Sequence, residues 1–323
     1  MSLENLLAFP PDAARAGFVD ARMHRELAAS LAHIAAACAE AGHPAAPLLS
    51  QASDLVARTR VGPEAFARYY LIGSALLAGE DAGLEAEAKA LLSDVRAGRA
   101  PFRVSPRGGA GEVDALMDRQ MGDEAVNFAP VSHETADAFG TRLAAGLDLL
   151  RQGLPELHAE ITSIVHHVVC AVAPEGSAMQ FDGASHYQFW GLLLLNPTFH
   201  TTRLAVAEVL AHESAHSLLF GLTIDEPLTL NPGEETYASP LRADPRPMDG
   251  IYHATFVSAR MAWAMEGLAA SGLLSPEEVD AAREAAAADR RNFAAGLSVI
   301  EAHGKLSPTG RTVMGNARAW IGG

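Results

Sequence analysis

The chain has 323 residues, 49% of them hydrophobic and 20% charged, enough apolar material for a folded core and too much for a disordered chain. Acidic residues outnumber basic ones by 39 to 24, a formal charge of −15. Nonspecific binding to nucleic acid or to an anionic membrane needs a basic face, so neither is expected as a partner. Only Cys38 and Cys170 occur, in apolar segments far apart, which argues against a disulfide framework and against a cysteine zinc site.

Residues 1–12 lack a basic stretch followed by an apolar run, and no run of ~18 uninterrupted apolar residues occurs. A soluble, cytoplasmic protein is the expectation. Alanine-rich helical patterning covers residues 21–41, and further helices are predicted near 63–78 and over 84–97, so residues 1–98 read as a helical N-terminal region. Residues 98–111, with Arg99, Pro101, Arg103, Pro106, Arg107 and four glycines, read as a loop or hinge. This stretch is the candidate boundary before a domain over 113–323, the alternative being one continuous globular unit. It lacks the GxxxxGK[ST] spacing of a phosphate loop.

Helical periodicity resumes over 133–152. The β-branched run at 161–172 predicts a buried strand, 187–195 predicts a second, and a polar turn separates them. A helix follows over 202–221, with Thr201 or Thr202 as its N-cap. Residues 225–249, rich in proline, glycine and acid, are too long for an ordinary connector and read as a lid or active-site wall. Helices are predicted again over 250–270, 275–303 and 308–320, the second opening on Ser275-Pro276-Glu277-Glu278. The expected class is mainly α with a small β-sheet (α+β), a helical N-terminal third packing on a core that holds the 202–221 helix.

That helix contains Leu210-Ala211-His212-Glu213-Ser214-Ala215-His216-Ser217-Leu218, an HExxH motif. Histidines at i and i+4 lie about 40° apart around a helix, so both imidazoles can face one metal ion. Glu213 sits about 100° away and can act on whatever the metal holds. Leu204, Val206, Val209, Leu210, Leu218, Leu219 and Phe220 make the helix largely apolar, and unpaired imidazoles buried in such a setting would be costly. Two histidines hold a catalytic metal weakly, so a third ligand is needed. The HExxHxxGxxH pattern fails because Leu219 and Leu222 stand where the glycine and third histidine would be. Glu234 and Glu235 are candidates, but they lie in a Pro/Gly loop. His253, near the start of the next predicted helix, is the better one, and three histidines suit zinc or ferrous iron.

Just upstream, Ser239-Pro240-Leu241-Arg242-Ala243-Asp244-Pro245-Arg246-Pro247 sets two guanidiniums in a frame stiffened by prolines, suited to bidentate recognition of a carboxylate. Surface arginines paired with Asp244 or Asp249 are the plainer alternative. His166, His167, His186 and His200 read as packing or surface residues, with His186, in the polar turn, the one to watch as a substrate contact.

HESAHS, followed by YASPLRADPRPMDGIYHATF and a helix opening VSARMAW, resembles the α-ketoglutarate-HExxH-type peptide β-hydroxylases. The resemblance covers roughly residues 161–263, and Gly183-Ala184-Ser185 through Gly191-Leu192 looks like that family's serine followed by a strand. It implies an Fe(II)- and α-ketoglutarate-dependent dioxygenase that uses O₂ to hydroxylate the β-carbon of a residue in a ribosomally made precursor peptide. His212, His216 and His253 would hold iron, Arg242 or Arg246, with Ser239, would bind α-ketoglutarate, and Glu213 would orient a ligand or water. The expected partner is the precursor peptide, with homodimerisation left open. Two other readings of the same residues are a zinc metallopeptidase with Glu213 as general base, and a non-enzymatic peptide-binding protein with a structural metal.

Overall fold

A computed structural model describes residues 1–109, 111–177, 181–242 and 244–322. Ala110 of the glycine-rich stretch, residues 178–180 of the polar turn and Ala243 of the arginine segment lie outside the described residues. The helices are α1 (Leu3–Leu6), α2 (Ala13–Glu40), α3 (Ala46–Val56), α4 (Pro63–Ala78), α5 (Asp81–Ala97), α6 (Glu112–Met121), α7 (His133–Gly153), α8 (Pro155–Ile164), α9 (Arg203–Leu222), α10 (Met248–Ala270), α11 (Pro276–His303) and α12 (Pro308–Gly322). The strands are β1 (Arg103–Pro106), β2 (His167–Cys170), β3 (Gly183–Ser185), β4 (Leu192–Leu195), β5 (Thr236–Tyr237) and β6 (Arg246–Pro247). The protein is therefore mainly α with a small β component, as periodicity predicts. None of the described helices is long and apolar enough to cross a membrane.

The chain divides into two compact units. One comprises Met1–Val19, Thr141–Ser163 and His200–Gly323, the other Asp20–Gly140 and Ile164–Phe199. The glycine-rich stretch expected as a boundary lies inside the second unit, because residues 103–106 form a strand there that pairs with one from much later in the chain.

The second unit holds a four-stranded sheet of order β1-β2-β4-β3, in which β1, β2 and β4 run parallel and β3 antiparallel. Both central strands, His167–Cys170 and Leu192–Leu195, are buried along their whole length. Parallel strands covered on both faces demand such unbroken apolar runs. Val113, Leu116 and Met117 of α6 pack against Val169, Leu192 and Leu194 on one face. The predicted strand at 161–172 is shorter than expected, since its first residues complete α8. The second begins only at Leu192, after a 3-10 turn at Tyr187–Phe189 and Gly191 at φ +93°, where a Cβ would also press on His166 at 3.1 Å.

The first unit is helical apart from the β5–β6 pair, Tyr237 opposite Arg246. Helix α9 is apolar nearly all round and correspondingly buried. The Thr202 hydroxyl accepts from the Ala205 N–H at 3.1 Å and caps it. Two glycines allow close helix approach. A Cβ on Gly146 of α7 would lie 2.4 Å from Val206 of α9, and one on Gly296 of α11 would lie 2.1 Å from Thr255 of α10. Ser275 and Glu278 form a reciprocal capping box at the start of α11, and the same Glu278 receives Arg203 of α9 at 2.7 Å. Residues 8–10 are held by a buried ionic cluster, in which Arg15 (2.6 Å) and Arg260 both bind Glu160, while Nη groups of the two also donate to the carbonyls of Ala8, Phe9 and Pro10.

Candidate metal centre

Helix α9 carries the HExxH residues and α10 follows the β5–β6 pair, both within the first unit. His212 and His216, one turn apart, turn Nε2 toward Nε2 at 3.2 Å. That is the spacing of adjacent nitrogen ligands in a metal shell of ~2.1 Å radius. Their other nitrogens meet α10. His216 Nδ1 lies 3.1 Å from His253 Nδ1, with the two rings stacked 5.4 Å apart, and His212 Nδ1 lies 3.2 Å from Met261 Sδ. Phe220 packs on the His253 ring at 5.4 Å. Both HExxH rings are thus gripped at Nδ1 and converge through Nε2, the arrangement in which outer partners orient metal-binding imidazoles.

All three predicted histidines come together, with His216 between the other two. Glu213 is buried, and its Oε1 is 3.8 Å from His212 Nε2. Among the described residues, only His212, Glu213 and His216 bring three potential ligating atoms within 4.8 Å of one another. Burial pushes the His212 pKa down to about 4, with the charges of Arg242 and His200 acting the same way. His216 is held well below the ordinary value by burial, then by His212, His253 and Arg242, and burial also lowers His253. At neutral pH all three are neutral imidazoles, the form that donates a lone pair to a metal.

The arginine segment separates into two roles. Arg246 lies in β6 with Nε 2.9 Å from Asp244, as an ordinary ion pair. Arg242 is exposed, and its charge reaches both His212 and His216. Ser239 Oγ accepts from the Leu241 N–H at 3.3 Å and shapes the turn that presents Arg242. Glu234 and Glu235 are exposed, the latter accepting from the Tyr237 hydroxyl at 2.6 Å, and neither joins the histidine group.

Three neighbours of the centre had no sequence signal of their own. Met261 and Phe220 read as ordinary apolar helix positions, and His200, near the start of α9, read as packing. Only the crossing of α9 and α10 and the path of the chain into α9 bring them to the histidines. His186 lies in the other unit, its Nδ1 accepting from the Gln188 N–H at 3.3 Å and its ring stacked on Tyr187. In comparisons with known proteins, no family model and no curated sequence matches this chain.

Proposed function

We propose that the protein is an Fe(II)- and α-ketoglutarate-dependent dioxygenase that hydroxylates the β-carbon of a residue in a precursor peptide, the activity that its motifs imply by resemblance. The observation that carries this reading is the pair of converging, neutral imidazoles, with Arg242 near enough for its charge to act on both. A metal with a nearby guanidinium suits a dicarboxylate that chelates through one end and is held electrostatically at the other. The donor set fits such an ion: two Nε2 atoms at 3.2 Å, with a third imidazole and a carboxylate adjoining.

On this proposal His212 and His216 hold the metal through Nε2, with Glu213, the carboxylate of the same group, as the third donor. His253, which meets His216 at Nδ1 and lies outside that group, is the competing donor. Two imidazoles with one carboxylate make the ligand set common to non-haem iron oxygenases, so the iron assignment survives either choice. Bound iron, with α-ketoglutarate and O₂, would supply oxidative decarboxylation coupled to hydroxylation, leaving succinate and CO₂. The chain's own residues bind and orient: Arg242 receives the distal carboxylate of α-ketoglutarate, Met261 fixes the His212 ring, and Phe220 packs on the His253 ring. Succinate formed from α-ketoglutarate only with Fe(II), and suppressed in Arg242→Ala, tests the proposal.

A second reading has one observation in its favour. The Glu213 carboxylate lies 3.8 Å from a metal-facing nitrogen, where a general base for a zinc-bound water would stand. A peptidase of that kind would lose cleavage on Glu213→Gln and ignore α-ketoglutarate.

A further inference from the structure

Met261 brings a thioether, an oxidisable group, against the histidine centre. Its Sδ lies 3.2 Å from Nδ1 of His212, on the side of the ring away from Nε2. When Nε2 faces a metal, the ring proton sits on Nδ1, and the thioether, a weak acceptor, receives it. Where the sulfur stands therefore helps to set where Nε2 points.

A second observation concerns access and room. Among the described methionines, Met117, Met121, Met248, Met265 and Met314 are buried, which leaves Met1, Met23 and Met261 within reach of a small solute. Of these three, Met261 is the one in contact with a histidine of the centre. Its helix is fixed from behind. Arg260, the preceding residue, is buried and tied to Glu160 and to the Phe9 carbonyl. Thr255, earlier on α10, packs on Gly296 of α11 with no space for a Cβ between them. Room for an atom added to the sulfur thus comes from the His212 side.

We propose that Met261 is an oxidation site for peroxide, and that its sulfoxide weakens metal binding by displacing His212. The peroxide O–O bond breaks as a sulfur lone pair forms the S–O bond. Sulfur is oxidised, the peroxide is reduced, and its second oxygen leaves as water. An oxygen on Sδ does not fit the 3.2 Å gap, so the ring turns and Nε2 leaves its place 3.2 Å from the Nε2 of His216. The proposal rests on the histidines binding a metal, and not on which metal or which reaction.

The test treats the metal-free full chain with hydrogen peroxide, maps the added oxygen by peptide mass spectrometry, and titrates with zinc, which has no redox chemistry of its own. Met261 should gain one oxygen, as Met1 and Met23 do, while the buried methionines stay unmodified. Zinc affinity should fall by about 10–100-fold, in proportion to the Met261 sulfoxide formed, as when a group that orients a ligand is lost. In Met261→Leu the same treatment should leave zinc affinity where it stood before peroxide. An unmodified Met261 after Met1 and Met23 are oxidised, full oxidation of Met261 with zinc affinity unchanged, or an equal loss in Met261→Leu would each overturn this proposal alone. Failure of the untreated protein to bind zinc or Fe(II) would remove the metal centre and this proposal with it.

Discussion

Glu160→Gln removes the single carboxylate that two buried guanidiniums share. All three side chains are 1% exposed, with Arg15 2.6 Å from Glu160 and Arg260 paired to its other oxygen. Glutamine keeps the shape and one acceptor, but leaves Arg15 and Arg260 without their shared counter-charge. Breaking a buried pair in this way costs about 3–5 kcal/mol. Against a total of ~5–15 kcal/mol, that is a large fraction. For a unit of this size each kcal/mol moves Tm by about 2–4 °C, so a fall of about 6–20 °C is expected by scanning calorimetry. Replacing the whole triad by apolar residues, Arg15→Met, Glu160→Leu and Arg260→Met, should restore much of the loss, because it removes the unpaired charges as well as the pair. A Glu160→Gln protein melting within about 2 °C of wild type would refute the reasoning, since the cluster would then be solvated rather than buried. The result bears on the site, because Arg260 adjoins Met261, which meets the His212 ring.

Asp289 on α11 is buried, and desolvation pushes its carboxyl up to about 8, with Glu208 of α9 adding to the shift. Its folded pKa exceeds the unfolded value of ~3.9, so the folded state keeps a proton that the unfolded state releases. Stability from this group is full below pH ~4 and falls as pH rises toward 8. Asp289→Asn should therefore flatten that decline and raise Tm at pH 8, and coincident pH profiles for the two proteins would contradict it. Gly146→Ala should destabilise by about 1–3 kcal/mol despite alanine's better helix propensity, because its methyl meets Val206 at 2.4 Å; a denaturant midpoint equal to or above wild type would count against the close packing of α7 on α9. His253→Ala should weaken metal binding by ~10–100-fold, the cost of losing a group that orients His216, and abolition of stoichiometric binding would instead make His253 a ligand.

Much of the fold was legible because its elements announce themselves locally. Pro63 at the start of α4 and Gly79 in the left-handed conformation after its end bracket that helix, and the capping box at Ser275 marks the next-to-last one. The strands were harder to read. β1 lies in a stretch whose prolines and glycines signal a loop, and it exists because β2, distant in sequence, pairs with it. That is a tertiary effect with no local trace. The β5–β6 pair is two residues long on each side, too short for any alternation to show. At the centre, helical spacing alone brought His212 and His216 together. The placing of His253 beside His216, and the division of labour between Arg242 and Arg246, depend on how α10 crosses α9 and on Asp244 lying close to Arg246.

Anaerobic titration of the metal-free protein, first with Fe(II) and then with α-ketoglutarate, tests the proposed activity most directly. One equivalent of iron should bind, and α-ketoglutarate should then produce the visible charge-transfer absorption of a chelated Fe(II)–keto-acid complex. Arg242→Ala should raise the α-ketoglutarate concentration needed by about tenfold or more, with Arg246→Ala close to wild type. No absorption in wild type, together with tight stoichiometric zinc binding and peptide cleavage that Glu213→Gln abolishes, would contradict the dioxygenase and establish the peptidase.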